Sequence, residues 1–256
     1  CGTLFPYTTL FRSRMMKAAL FIPCLTEHLL PEPGLSMVRI LNRLGIEVEY
    51  VENQTCCGQP AYNSGYHQQV IPLAEQFIEQ FHDKEVIIAP SGSCVAMVRE
   101  EYKHLKLRED LKAPYERLRG KIYEFTEFLV DVLNVDQLGG RFPHRVTYHD
   151  SCHLSRMLGV REQPRRLIAN IADIEFVEMQ GPDVCCGFGG TFSYKMKEIS
   201  VEMVKRKCDS IKESQAEYCI GADSSCLMNI EGYLKKNGYS ARTLHIAELL
   251  ARSLEL

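Results

Sequence analysis

Eleven cysteines in a chain of 256 residues are the side chains whose type and spacing could do chemistry. Eight of them form two sets with the same order: a single cysteine, a vicinal pair followed by glycine, and a second single cysteine. The sets are Cys24, Cys56, Cys57 and Cys94, and Cys152, Cys185, Cys186 and Cys226. The intervals are 31 and 36 residues in the first set and 32 and 39 in the second. Each set therefore offers four thiols to one site.

This spacing favours iron–sulfur clusters over other uses of cysteine. A vicinal pair is a poor disulfide framework, because sequence neighbours close only a strained ring. Structural zinc sites usually take their ligands in close C-x₂₋₄-C pairs, which these sets do not contain. Four thiolates are the usual requirement of a cluster, and adjacent ligands suit a site with several metal ions. The residues predict two iron–sulfur clusters and an electron-transfer protein that makes and breaks no substrate bonds itself.

Two alternatives from other classes have to be distinguished from this prediction. One is a zinc-stabilised scaffold without a redox role, which metal analysis would identify. The other is a thiol enzyme that cycles a disulfide at one of the vicinal pairs. Such an enzyme would be active without iron, and it would leave the remaining cysteines without a purpose.

The cysteine sets belong to a longer internal repeat. The three cysteine-bearing segments recur after 128, 129 and 132 residues, and the segment Tyr123 to Leu133 parallels Leu244 to Leu254. Four features in one order at nearly one offset indicate two copies of one unit. Turn residues gather at Asp136 to Pro143, which places the first repeat at residues 16–137 and the second at 138–256.

Each repeat has the pattern strand, helix, strand, helix, strand, helix. The predicted strands are 18–22, 46–51 and 86–89 in the first repeat, and 146–148, 175–177 and 218–220 in the second. The clearest helices are 35–44, with Gly45 as its terminating residue, 69–81 and 199–213. Strands alternating with helices predict an α/β fold with two pseudo-symmetric repeats, each a small, mainly parallel sheet flanked by helices.

The fold pattern explains the positions of the cysteines. In each repeat they follow predicted strands, and ligands of open α/β sheets collect beyond the carboxyl ends of the strands. We therefore expect the four thiols of a repeat to converge at one edge of its sheet. Gly58 and Gly187, directly after the vicinal pairs, would let the backbone turn tightly beside a bulky inorganic group.

The motifs resemble those of the cysteine-rich CCG-domain proteins. The stretches that carry the resemblance are CCGQPAYNSGY, PSGSC, HDSCHLSRMLGVR, CCGFGGTFS and GADSSCLMNI. Within that family the chain is most similar to the lactate-utilisation group, and it is also related to the iron–sulfur component of glycolate oxidase and to a component of heterodisulfide reductase. In the fullest family pattern the last element is C-x-x-C, and five cysteines hold a non-cubane cluster. Here Ser91 and Asp223 replace its first cysteine, so each repeat keeps four. Four cysteines suit one [4Fe-4S] cluster in each repeat, so we expect two, with the non-cubane type as the alternative.

The resemblance implies an iron–sulfur subunit of a multi-subunit system that oxidises L-lactate to pyruvate, with a second iron–sulfur protein among its partners. The alternative within the family is a subunit of a glycolate or glycerol 3-phosphate oxidising complex. No flavin or nicotinamide motif is present, so we expect the chain to need partners for lactate oxidation.

Other residues near the motifs have weaker signals. His149 and His153 flank Cys152 and could donate hydrogen bonds to cluster sulfur, whereas the alternative is an ordinary strand-to-helix turn with Asp150 or Ser151 as the N-cap. Cys208 and Cys219 have no counterpart in the first repeat, and we predict that they are core residues.

Composition limits the remaining choices. The net charge of −3 gives no basic footprint for nucleic acid, and no apolar run reaches the roughly 18 residues of a membrane span. We predict a cytoplasmic protein that reaches the inner face of the membrane only through partners. Residues 1–14 resemble the translation of a DNA sequencing adapter, so we expect the natural chain to start at Met15 or Met16.

Overall fold

The computed structural model describes residues 16–256. The segment that resembles a sequencing adapter, Cys1 included, lies outside the described residues. The description below therefore begins at Met16.

Eight short strands form two four-stranded sheets in which every neighbouring pair is parallel. The strands of the first sheet are β1 (Lys17–Leu20), β2 (Glu47–Tyr50), β3 (Val86–Ala89) and β4 (Ile122–Glu124). Those of the second are β5 (Arg145–His149), β6 (Glu175–Phe176), β7 (Tyr218–Gly221) and β8 (Arg242–His245). The strand orders are β2-β1-β3-β4 and β6-β5-β7-β8, so the two sheets have one topology. The predicted α/β fold with two parallel-sheet repeats is confirmed.

The prediction of three strands in each repeat was wrong, because a fourth strand lies at one edge of each sheet. β4 has three residues and β8 has four. Each runs directly into a helix, so its apolar residues merge with the helical pattern that follows. The backbone hydrogen bonds that define these strands are made to β3 and β7, which lie far away in the sequence.

Helices cover the sheets. The α-helices are α1 (Cys24–His28), α2 (Glu32–Arg43), α3 (Gln59–Tyr62), α4 (His67–Phe81), α5 (Gly92–Ala96), α6 (Glu109–Leu118), α7 (Phe125–Glu127), α8 (Glu162–Ala169), α9 (Phe192–Lys195), α10 (Lys197–Glu213), α11 (Ser224–Lys236) and α12 (Ile246–Ser253). Three π-helical turns extend the pattern at Met97–Glu101, Phe128–Val132 and His153–Met157, and a 3₁₀ turn occupies Tyr102–His104. As predicted, α2 ends before Gly45, which has a φ of +75°. Among residues 16–256, none of these helices is both long and apolar enough to cross a membrane.

The largest apolar core is shared by the two repeats. It contains Met37 and Ile40 of α2, Phe125 of α7, Tyr148 of β5 and Leu249 of α12, all buried. Because α2 belongs to the first repeat and α12 to the second, the apolar surface that these helices bury against each other stabilises the two repeats together. The shared core fixes one cysteine-bearing sheet edge relative to the other.

Residues 134–144 connect the repeats without forming a helix or strand, apart from an isolated bridge between Arg141 and Ala172. The turn residues at 136–143 lie in this segment. It is tied to the second repeat, because Arg141 N donates to Ser253 O over 2.8 Å.

Candidate metal centres

The four cysteines of the first repeat lie at the carboxyl end of its sheet, and their thiols form a chain of neighbours. Cys24 opens α1 just after β1, the vicinal pair follows β2, and Cys94 lies in α5 just after β3. Cys56 neighbours the thiols of Cys24 and Cys57, and Cys57 also neighbours that of Cys94. The convergence expected from the strand positions is present in the first repeat.

The second repeat has the same arrangement. Cys152 follows β5, the vicinal pair lies in the loop before α9, and Cys226 lies in α11 after β7. Cys185 neighbours the thiols of Cys152 and Cys186, and Cys186 also neighbours that of Cys226. All ten cysteines among residues 16–256 are free of disulfides.

One thiol in each set is much more acidic than its neighbours. Hydrogen bonds from Cys24 and Cys57, together with the Gly58 N–H, lower the pKa of Cys56 to about 3. In the second set, Cys152, Cys186 and the Gly187 N–H lower the pKa of Cys185 to about 2.

The other thiols in these contacts are harder to ionise. The hydrogen bond to Cys56 and burial raise the pKa of Cys24, and the hydrogen bond to Cys185 and burial raise that of Cys152. A first thiolate therefore makes ionisation of the neighbouring thiols unfavourable, and bound metal cations would remove this penalty.

The glycines after the vicinal pairs are needed for the backbone conformation. Gly58 and Gly187 have φ values of +84° and +81°. Their N–H groups donate to the sulfurs of Cys56 and Cys185 over 3.4 Å. A Cβ atom at Gly58 would lie 2.7 Å from a methyl carbon of Val70, and one at Gly187 would lie 2.7 Å from a backbone oxygen. Only glycine fits both the turn and the close contact.

A cavity of about 140 Å³ lies beside the first thiol set. Its walls contain all four cysteines of the first repeat. Four residues of the second repeat also line the cavity: Phe188, Gly190, Ser224 and Ser225. The first site is therefore closed in part by the repeat that carries the other thiol set.

Comparison with known proteins agrees with this geometry. The model of the cysteine-rich domain (CCG) matches residues 18–99 and again 146–231. The chain belongs to the CCG cysteine-rich domain family. The predicted family and its two copies are confirmed, and the matched segments hold the two thiol sets.

Among relatives of this CCG protein, Lactate utilization protein A of Oceanobacillus iheyensis is 48% identical over 236 residues, which are 92% of this chain and 96% of the relative. Lactate utilization protein A of Bacillus subtilis is 45% identical over 237 residues, covering 92% and 99%. A solved structure, a hypothetical protein from Helicobacter pylori, shares the fold with a TM-score of 0.63 and 9% identity. The aligned region covers 95% of this chain and 50% of the Helicobacter pylori protein.

The donor set of each CCG domain fits a metal cluster. In each domain the four thiols form a chain of neighbours, one backbone N–H donates to sulfur, and no disulfide joins the cysteines of residues 16–256. A further donor lies at the second set, where a ring nitrogen of His149 and the sulfurs of Cys186 and Cys226 are all within 4.8 Å of one another. Cysteine sulfur is the usual protein ligand of iron–sulfur clusters.

The two histidines differ in their relation to the thiols. His153 Nδ1 lies 3.5 Å from the sulfur of Cys152. His149 is 1% exposed, neither ring nitrogen has a hydrogen-bond partner among the described residues, and burial lowers its pKa to about 3. Asp150 is not a helix cap, because its carboxylate pairs with Arg165 over 2.9 Å. Ser151 does not cap the turn either, since its hydroxyl has no partner among residues 16–256.

Ser91 and Asp223, which stand where the C-x-x-C pattern has its first cysteine, face each other across the two CCG domains. Ser91 precedes α5 and Asp223 precedes α11. Asp223 Oδ1 accepts hydrogen bonds from Ser91 Oγ, Ser93 N and Ser93 Oγ over 2.8, 3.0 and 2.7 Å. Sequence reasoning noted both residues but could not predict that they are partners.

The remaining cysteines are structural, and one buried lysine was missed. Cys208 and Cys219 are 0% exposed, as predicted for core residues, and burial raises the pKa of each to about 12. Lys207, beside Cys208, is 1% exposed. The side chain of a lysine on an amphipathic helix is expected to be solvated. The only signal that Lys207 is buried was the uncharged residue, Phe77, at the equivalent position of the first repeat.

Proposed function

We propose that this chain is an iron–sulfur electron-transfer subunit of a multi-protein system that oxidises L-lactate to pyruvate. The observation that carries the proposal is the convergence of four thiols at the carboxyl end of each sheet, in two domains with one topology. The printed name of relatives that are 45% and 48% identical over 92% of the chain supports lactate as the substrate class.

Cys24, Cys56, Cys57 and Cys94 would hold one cluster, and Cys152, Cys185, Cys186 and Cys226 would hold the other. Bound clusters supply one-electron redox chemistry without a change in covalent bonds of the chain. The protein's contributions are the thiolates, the N–H groups of Gly58 and Gly187 that donate to sulfur, and buried walls that limit access of water.

Oxidation of lactate to pyruvate releases two electrons and two protons. In this proposal a partner protein removes them from the substrate, and a second iron–sulfur protein and other one-electron carrier proteins of the same system exchange the electrons with this chain. The thiol sets contain no residue that we assign to bond chemistry on lactate.

The test is the content of iron and acid-labile sulfide in protein purified without oxygen from Met16 onward, together with the EPR spectrum after reduction by dithionite. We expect about eight of each per chain, which corresponds to two four-iron clusters. Zinc without sulfide, in protein never exposed to air, would replace this proposal with a structural scaffold.

Variants of single cysteines locate the metal. Cys56→Ser and Cys185→Ser should each remove the cluster of one repeat and leave the other. Cys208→Ala is the matched control, because this cysteine is buried in α10 with its sulfur directed at Ile230 O over 3.9 Å, and its iron content should equal that of the wild type. Retention of all iron in both serine variants would contradict the ligand assignment.

The substrate is tested separately with the partner proteins. Addition of L-lactate to the reconstituted system should reduce the clusters of this chain, and glycolate and glycerol 3-phosphate are the comparison substrates. Reduction by glycolate or glycerol 3-phosphate in place of lactate would assign the chain to the other branch of the family.

A further inference from the structure

The two repeats differ in the side chains that lie beneath their thiol sets. Helices α4 and α10 occupy equivalent places, and their buried residues correspond at a constant offset of 130. The corresponding pairs are Val70 and Ser200, Ala74 and Val204, Phe77 and Lys207, Ile78 and Cys208, and Phe81 and Ile211. At the end of the first strand, three residues before the first cysteine, Phe21 corresponds to His149.

The first repeat has an apolar pair at these positions. The rings of Phe21 and Phe77 meet edge to face with centroids 4.8 Å apart, and their exposed fractions are 0% and 2%. Aromatic carbon offers no hydrogen-bond donor of ordinary strength and no charge to the thiols above it. At these two positions, therefore, the first site has only apolar side chains.

The second repeat has His149 and Lys207 at the same two positions, each 1% exposed. Lys207 Nζ donates to Gly181 O over 2.8 Å, to Pro182 O over 3.0 Å and to Met179 Sδ over 3.8 Å. These three acceptors match the three donors of an ammonium group. Burial lowers the pKa of Lys207, whereas the nearby carboxylates of Asp150 and Asp183 favour its charged form. None of the ion pairs among the described residues includes Lys207.

His149 is the polar group directed at the sulfurs. A ring nitrogen lies within 4.8 Å of the sulfurs of Cys186 and Cys226, and the ring makes no hydrogen bond to the rest of residues 16–256. A buried polar group without a partner is costly, and such groups are rare unless an unseen ligand satisfies them. Pro182 O, the backbone acceptor near the ring, already accepts from Asp150 N and Lys207 Nζ, so the sulfurs of Cys186 and Cys226 are the remaining acceptors beside it.

We propose that His149 and Lys207 give the centre of the second repeat a higher reduction potential than that of the first. The inference rests on the proposed function, because it requires a metal cluster at both sites. Reduction adds one electron and one negative charge to a centre. A hydrogen-bond donor and an ammonium in a buried setting stabilise that charge, whereas the Phe21 and Phe77 rings do not.

The proposal is tested by a dithionite titration of the iron-loaded protein, followed by EPR. Cys56→Ser and Cys185→Ser each leave one repeat loaded, and so assign a potential to each centre. The centre of the second repeat should be reduced first. Equal potentials, or a lower potential for the second repeat, would overturn the proposal without any further variant.

Substitutions then test the two residues. His149→Phe, which copies the first repeat, and Lys207→Met should each lower the second potential by at least a tenfold change in the ratio of reduced to oxidised centre, or about 59 mV for one electron. His149→Gln retains an N–H donor and should restore part of the loss. Cys208→Ala, the next residue on α10, is the matched control and should leave both potentials in place.

The outcomes separate this proposal from the one on which it rests. Wild-type protein without iron and sulfide would defeat the proposed function. Normal iron and sulfide in His149→Phe and Lys207→Met, with an unchanged second potential, would defeat only the roles assigned to these residues.

Discussion

Ser91 Oγ donates to Asp223 Oδ1 over 2.8 Å, which joins the two repeats at the positions where each departs from the C-x-x-C form of its family. Asp223 is 1% exposed and also accepts from the N–H and the hydroxyl of Ser93. A carboxylate of the second repeat thus satisfies donors at the start of α5, directly before Cys94. The chain has replaced two potential ligands with a contact that holds the repeats in register.

Loss of this carboxylate should weaken the whole protein. Asp223→Ala leaves three donors at α5 unsatisfied, so we expect a loss of about 3 kcal/mol in the free energy of unfolding. Urea unfolding of protein with its natural metal content gives this value. Ser91→Ala removes one of the donors and also the N-cap acceptor of Cys94 N, so it should cost about 1–2 kcal/mol. Equal stabilities of Asp223→Ala and the wild type would show that the contact contributes nothing.

A second contact between the repeats depends on the absence of a side chain. A Cβ atom at Gly92, in α5, would lie 2.6 Å from Cβ of Leu154 in the second repeat. Gly92→Ala should therefore cost about 1–3 kcal/mol through overpacking. Thermal or urea unfolding measures the loss. Because α5 carries Cys94, the variant should also change the reactivity of that thiol.

The control for this substitution is Gly232→Ala, since Gly232 lies within α11 and a Cβ there meets no atom within 4 Å. Alanine should raise stability at this position by up to about 1 kcal/mol. In Gly92→Ala combined with Leu154→Ala, the two costs should be less than additive, because alanine at 154 removes the Cγ and Cδ1 atoms at 3.0 and 2.7 Å, although its Cβ at 2.6 Å remains. Strict additivity would contradict the steric explanation.

The cysteine positions could be predicted because each depends on local chain features. Strand ends, vicinal cysteines and the following glycine are visible in the sequence, and parallel sheets bring strand ends to one edge. The edge strands β4 and β8 could not be predicted, because each runs directly into a helix whose apolar pattern includes its residues, and their partners are distant.

The burial of charged groups could not be predicted from the sequence either. Lys207 reads as a solvated residue until the fold places it under Cys186. The Asp223 carboxylate looked like a substituted ligand, and its bonds to Ser91 and Ser93 arise only when the two repeats pack together. Contacts between repeats depend on tertiary structure, so the pattern of one repeat contains no signal for them.

The contact between His153 and the first thiol of its set predicts a change in redox behaviour. His153 Nδ1 lies 3.5 Å from the sulfur of Cys152, so the ring can donate a hydrogen bond to that sulfur. His153→Ala should lower the potential of the second centre while iron content holds, because a donor to sulfur stabilises the reduced state. An EPR-monitored titration measures the shift, and an unchanged potential would defeat this role.

The buried carboxyl of Glu124 predicts a dependence of stability on pH. Burial raises the pKa of Glu124 to about 8 from an ordinary value of 4.5, although Thr126 and Glu127 donate hydrogen bonds to it. Above pH 4.5 the unfolded chain releases this proton, whereas the folded chain retains it up to about pH 8. The folded state binds more protons in this window, so the contribution of Glu124 to stability falls as the pH rises.

Glu124→Gln removes the titration and keeps an acceptor for the two N–H groups at the start of α7. The free energy of unfolding of the wild type should therefore decrease relative to that of Glu124→Gln as the pH is raised from about 5 to about 8. The limiting slope is about 1.4 kcal/mol per pH unit for one proton. Urea unfolding at several pH values measures the difference between the two proteins, which removes contributions from all other groups. Parallel stability curves over this range would show that Glu124 ionises in the folded protein as readily as in the unfolded chain.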